Sequence, residues 1–197
     1  MNAVCCMFWL LASAPPAPAP PTPPPETVRV IVEGVAPSAE ATRLAAFSSI
    51  RERLEGVDFA VLLGRYPAFS YAPSARTVDY RETRLVEVRR LESGFFKGLL
   101  EVEAPADLVE PQEGLREYYG RGEAVLAQEG SALAARRTAQ EAAINDAILS
   151  AVRARYPETS VSDRLTGRLY YLGSVREGIR EGKYEILVRI RIVFDRD

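Results

Sequence analysis

The sequence predicts an α+β fold: two tandem β-α-β-β units whose antiparallel sheet or sheets each carry one long helix packed on a face. Three observations carry that prediction. Val28, Val30 and Val32 alternate with Arg29 and Glu33, and Tyr184, Ile186, Val188, Ile190, Ile192 and Phe194 alternate with Glu185, Arg189, Arg191 and Asp195. Period-two alternation marks strands with one covered face. Between such strands lie stretches with apolar residues every three or four positions, the spacing of a helical stripe. Landmarks also recur in order: Gly34 and Gly122 at an offset of 88, Gly94 and Gly182 at 88, and Arg65-Tyr66-Pro67 and Arg155-Tyr156-Pro157 at 90. Ordered recurrence indicates an internal repeat, with residues 26–104 as the first unit and 113–197 as the second.

Ahead of both units lies a leader of different chemistry. Residues 1–25 contain no Asp, Glu, Lys or Arg, and eight of the 14 prolines fall there. Ala3 to Leu11 is an apolar run followed by Ala12-Ser13-Ala14, the h-region and small-residue exit of a secretory signal peptide over residues 1–14. The run is short of the roughly 20 residues that span a bilayer as a helix. Cys5 and Cys6, the only cysteines, sit within it, with too little apolar chain ahead of Cys5 for a lipid-acceptor site. Pro15 to Pro25 reads as an extended polyproline spacer, reaching roughly 34 Å at about 3.1 Å per residue. Export to the periplasm or cell envelope is therefore expected, or membrane association if the leader stays uncleaved.

The first unit opens with the strand ending at Gly34. Ser38 offers an N-cap, with Glu40 near the positive helix end. Phe47, Ile50, Leu54, Val57 and Val61 extend one apolar stripe through Gly56, predicting a single helix to about Leu63, ended by Tyr66-Pro67. Ala68 to Tyr80 reads as an irregular loop. Val78–Leu91 and Phe95–Glu103 then form a hairpin across Glu92-Ser93-Gly94, glycine supplying the positive φ of the turn. Ala104 to Gln112, with two prolines, reads as the linker.

In the second unit the strand over Tyr118–Ala124 precedes a helix from Ser131 to about Arg155. That helix presents Ala135, Ala139 and Ala142 in its first half and Ile148, Val152 and Tyr156 in its second. Small residues permit close approach to a sheet, and larger ones fill the wider end. Gly120 and Gly122 make room for a helix crossing the strand. Arg168–Ile179 and Lys183–Phe194 form the closing hairpin across Arg180-Glu181-Gly182.

Composition excludes several chemistries. The chain has 197 residues, no histidine and a net charge of -2. Without histidine there is no Ser-His or Cys-His nucleophile pair, no His metal cluster and no imidazole switch. The slightly acidic balance argues against nucleic acid as a partner. No cofactor or metal is expected, and no catalytic residue. Serine–lysine chemistry has only Lys97 and Lys183 to draw on, both expected exposed beside hairpin turns. The carboxylates are interleaved with arginine, as in Glu87/Arg89, Arg176/Glu177 and Glu185/Arg189, which reads as solvated strand faces. An acid–base hydrolase would require a cleft holding two acids outside ion pairs. Asn145-Asp146 reads as solvent-facing. The paired aromatics Tyr118-Tyr119 and Tyr170-Tyr171 are the candidate partner-binding surface, because one tyrosine of each strand pair should face away from the core.

From Tyr118 to Val152 the pattern G-x-G-E-A, then A-R-R-x-A-x-x-A-A-x-x-D-A, resembles the LPP20-type bacterial lipoproteins and the N-terminal domain of the flagellar assembly protein T. Gly122, Glu123, Ala124, Ala135, Arg136, Ala139, Ala142, Ala143, Asp146 and Ala147 carry the resemblance. It implies an exported, envelope-associated α+β protein with no catalytic residues to carry over. The expected function is a non-enzymatic envelope protein acting through protein contacts. The alternative is a small-ligand binding module with its pocket between the two units or under the Ala68–Tyr80 loop.

Overall fold

The computed structural model describes residues 26–73, 80–109, 112–158 and 163–195. The expected leader, spacer and cysteines lie outside these residues, as do Val78 and Asp79 of the expected first hairpin. The described chain is an α+β fold of two antiparallel sheets and four helices. In chain order the elements are β1 (Thr27–Ala36), α1 (Ala41–Leu54), β2 (Val57–Leu62), β3 (Ala68–Pro73), β4 (Arg81–Arg90), β5 (Phe96–Pro105), α2 (Ala106–Val109), β6 (Glu117–Val125), α3 (Leu126–Glu129), α4 (Ala132–Arg155), β7 (Arg164–Arg180) and β8 (Lys183–Phe194).

The smaller sheet has the order β1-β5-β4 and the larger one β3-β2-β7-β8-β6. In the small sheet the first strand lies beside the last and the last beside the middle one. β6, β8 and β7 repeat that order within the large sheet. Registers agree as well: Gly34 faces Gly98 and Gly122 faces Ile186, the second pair offset from the first by 88 residues at both members. What breaks the parallel is the hairpin of β2 and β3, which leaves the small sheet and pairs its Val57–Leu62 with Leu169–Arg164 of β7.

That hairpin corrects two expectations. The first helix ends at Leu54 rather than near Leu63, and the stretch expected to be an irregular loop supplies β3. Gly56 decides the matter. It has φ +75°, and its N–H and that of Glu55 both bond the Arg51 carbonyl, at 3.0 and 2.8 Å. A glycine in the left-handed region just past a helix closes it. Beyond it Val57, Phe59 and Val61 alternate with Asp58 and Ala60. Val57 and Val61 also satisfy helical spacing, so the apolar pattern alone does not separate the two outcomes. The true buried stripe of α1 is Thr42, Ala46, Ile50 and Leu54, while Phe47 is exposed. The early end of α1 also dissolves the equivalence of the two Arg-Tyr-Pro landmarks. Arg155 ends α4 and Tyr156 packs on Phe194, whereas Arg65 and Tyr66 lie in the β2–β3 connection.

The helices lie where the sequence has glycines. A Cβ on Gly34 would stand 2.0 Å from the Ala46 nitrogen of α1, and one on Gly122 would stand 1.9 Å from the Ala139 oxygen of α4. Backbone-to-backbone contact this close admits no side chain. Because α4 crosses β6 so tightly, its inward row runs at intervals of four through Ala135, Ala139, Ala143 and Ala147, all fully buried. Ala143 therefore takes the place expected for Ala142. Ser131 caps the helix, its Oγ accepting from the Ala134 N–H at 3.1 Å. At the other end Ile148 and Val152 enlarge the face, and Phe194 meets Phe59 and Tyr156 edge to face. β8 buries all six of its alternating apolar residues under α4.

The stretch expected to be a linker is a packed connection. Ala106 and Leu108 of α2 are buried and Gln112 is fully so. The Gln112 amide donates to the Leu54 and Leu108 carbonyls at 3.2 and 2.9 Å, and its oxygen accepts from Arg53 at 2.6 Å. It thereby satisfies a carbonyl left open at the end of α1.

Candidate functional site

Where β1 and β5 of the small sheet meet β7, polar side chains are buried. Lys97, expected exposed, is 6% exposed and ion-pairs with Glu33 of β1. The Lys97 ammonium also donates to the Ser174 carbonyl at 2.8 Å and to its Oγ at 3.2 Å. The Ser174 hydroxyl and N–H in turn donate to Glu33. Serine and lysine thus stand within hydrogen-bond reach, but both are committed. The lysine is ion-paired with a carboxylate, and the hydroxyl proton already has Glu33 as acceptor. An activated pair needs a neutral, available base. This trio is a junction between sheets. Lys183 is the more exposed of the two, half-buried and paired with Glu123 at 3.0 Å.

Glu177 also departs from expectation. Its side chain is buried, and its partner is Arg136 of α4 at 3.0 Å rather than neighbouring Arg176. Two bulges in β7, between Tyr171 and Gly173 and between Ser174 and Arg176, each insert one residue, so their shifts cancel and Glu177, opposite Ile186, falls on the same inward face as Tyr171, opposite Ile190. The Tyr171 hydroxyl lies beside these charges, buried and without a hydrogen-bond partner among the described residues. Burial, then the Glu33 charge, pushes it well above the ordinary tyrosine range. Tyr184 is pushed up to about 12 by burial and the Glu177 charge.

The four tyrosines expected to form a surface are divided by the fold. Tyr119 is exposed on β6, its hydroxyl donating to Glu117 at 3.3 Å. Tyr118 packs partly against the main core. Tyr171 belongs to that core, and Tyr170, on the opposite face of β7, is buried too. Strand alternation does place one of each pair away from α4. That outer face is covered near β7, because the end of α1 and Gln112 dock there, with Gln112 O accepting from Arg191 at 3.0 Å. Arg53 reaches the same place, and burial together with Arg191 and Arg189 pushes its pKa down to about 10.

A pocket between the two units or under Ala68–Tyr80 is the alternative read from the sequence, but that reading names no residue as lining the cleft that the hairpin β2–β3 creates. Between α1, this hairpin and α4 lies an open cleft of about 310 Å³. Val57, Ile144, Leu169 and the ring of Tyr171 give it an apolar wall, and Glu52, Arg137, Gln140 and Glu141 stand around it. Tyr71 of β3 closes one side, its hydroxyl donating to Asn145 of α4. Asn145 and its neighbour Asp146 are therefore bonding groups rather than merely solvent-facing ones; Asp146 accepts from the Arg121 N–H of β6 at 3.0 Å. Glu52 keeps contact with solvent, yet burial against the cleft wall raises its carboxyl above the usual range. Burial and the Glu141 charge raise Tyr71 likewise. Neither Glu52 nor Glu141 forms an ion pair among the described residues, and Arg137 lines the same cleft. Both acids lie on helices, Glu52 between Arg51 and Arg53 and Glu141 four residues after Arg137, so nothing in their spacing marked them.

Among the described residues no group of three or more His, Cys, Asp or Glu side chains is placed to hold a metal ion. No helix among them is long and apolar enough to cross a membrane. Comparison with protein families, curated proteins and solved structures finds no match to this chain.

Proposed function

We propose that this protein is an exported, non-enzymatic binding module of the cell envelope, built from two β-α-β-β units, with its ligand site in the cleft between them. The observation that carries the proposal is the cleft itself. Residues of the first unit (Glu52, Val57, Tyr71) and of the second (Arg137, Ile144, Leu169) face one hollow with an apolar wall and a polar rim. Small-molecule sites have this make-up. The duplication is supported by the shared strand order and by the glycine at each helix crossing. Export rests on the uncharged leader. Kinship with the LPP20-type lipoproteins is supported by the roles of the matching residues, since Gly122, Ala139 and Ala143 meet at one crossing and Asp146 ties α4 to β6.

Thermal-shift screening of the full chain against a metabolite panel tests the ligand site. A saturable rise in melting temperature is expected for at least one compound, lost when Glu141→Trp fills the exposed side of the cleft. No saturable rise, or one indifferent to that substitution, overturns the site.

Exposed Tyr119 favours a second reading, contact with an envelope protein through the outer face of β6. Crosslinking in cells should then yield an adduct that Tyr119→Ala removes. An unchanged pattern sinks it.

A further inference from the structure

We propose that the arginine-lined groove between the β4–β5 turn and β7, outside the cleft described above, is a binding site for phosphate-bearing anions. It begins with the second bulge of β7. Between Ser174 and Arg176 the register against β8 shifts, and both Val175 and Arg176 are exposed where strict alternation would expose one. Arg176 thereby joins Arg89, Arg90 and Glu92 around a hollow of about 230 Å³ floored by Lys97 and Ser174. Past Arg176 and Glu92 the groove opens into a second hollow of about 360 Å³, to which β6 brings Arg121 and the β7–β8 turn brings Arg180.

Charge accounting decides what fits. Lys97 is matched by Glu33 and Glu177 by Arg136, so neither pair adds net charge. Five arginines remain against two carboxylates, Glu92 and Glu185. None of the five guanidinium groups forms an ion pair among the described residues, and Arg90 lies over the Phe96 ring at 6.0 Å. A chain of net charge -2 thus concentrates unmatched cations in one concave place, which raises the local concentration of anions. Guanidinium groups present paired donors that match phosphate oxygens, and several around one hollow favour a multiply charged anion. No aromatic side chain lines either hollow, so there is no platform for stacking a base, and a single-stranded nucleic acid is disfavoured. The carboxylates of Glu92 and Glu185 stand against a weakly hydrogen-bonding or singly charged anion, which cannot outcompete them.

Isothermal titration of the full chain with inorganic pyrophosphate at low salt tests the site. Saturable binding is expected, weakening as salt rises, with Arg176→Gln reducing affinity about tenfold. Arg153→Gln, at the far end of α4, should bind as the natural chain does. Sedimentation with phosphatidylglycerol vesicles, against phosphatidylcholine vesicles, separates the phosphate sources. Pyrophosphate binding without vesicle binding assigns a soluble ligand, and Arg176-dependent binding to the anionic vesicles assigns a lipid headgroup. Absence of both, or binding that Arg176→Gln leaves unchanged with its melting temperature intact, overturns the proposal.

Discussion

Lys97 has to satisfy its charge where water barely reaches. Among the described residues Glu33 and the two oxygens of Ser174 meet it, so the ion pair is worth most as an undivided unit. Lys97→Met leaves Glu33 buried with a hydroxyl and an N–H alone, and should cost about 3 kcal/mol in urea unfolding. The double variant Glu33→Gln/Lys97→Met should recover more than half of that, and a simple sum of the two single losses would disprove the coupling. Glu52 presents the opposite case, a carboxyl lacking a cation. Its pKa is higher folded than unfolded, so the folded state holds the proton more tightly. The associated stability is present in acid and lost as pH rises through the raised pKa. Glu52→Gln should therefore melt higher than the natural chain near neutral pH, with the gap closing below about pH 4. A constant gap across pH would refute this. Neither residue could be told from its sequence neighbours. Lys97 follows Phe95-Phe96 beside a turn, and its burial comes from β7, which is 77 residues away at Ser174.

At the scale of elements, local chemistry was informative wherever it was self-contained. The limits of α4 followed from Ser131 and the alanine row, and β8 from its unbroken alternation. Gly120 and Gly122 announced a close helix crossing from their spacing on a strand. Gly122→Ala would drive a methyl into the α4 backbone, and about 3 kcal/mol of destabilisation is expected by chemical denaturation. A change within a few tenths would mean that the helix can move away. The β2 strand was hidden because six residues with valines four apart satisfy both periods, and only the conformation of Gly56 separates them. β3 was hidden because its residues are largely exposed, so burial left no alternation to read. The cleft, which depends on both strands, disappeared with them.

For the whole molecule, strand alternation and helical stripes foretold an α+β fold but not its division into sheets of three and five strands. Local patterns carry no information on which distant strand a hairpin will pair with. β2 covers the edge of β7 over six paired residues, while β4, which holds the matching place in the small sheet, has no further strand beyond it among the described residues. An exposed strand edge is a template for further pairing. The fragment of residues 113–197 should accordingly self-associate in analytical ultracentrifugation at concentrations where the full chain stays monodisperse. A monodisperse fragment would show that β7 needs no cover.

The pairing of β2 with β7 joins residues about a hundred positions apart, with β4, β5 and all of α4 made in between. On a ribosome, then, Val57 to Leu62 can pair with β3 at once, but its other edge must wait for β7 until almost the entire chain has emerged. The small sheet and α1 can settle early, but the strand leaving them stays sticky for the remainder of synthesis. Such a chain has a long interval in which a chaperone can hold it before the final strand locks.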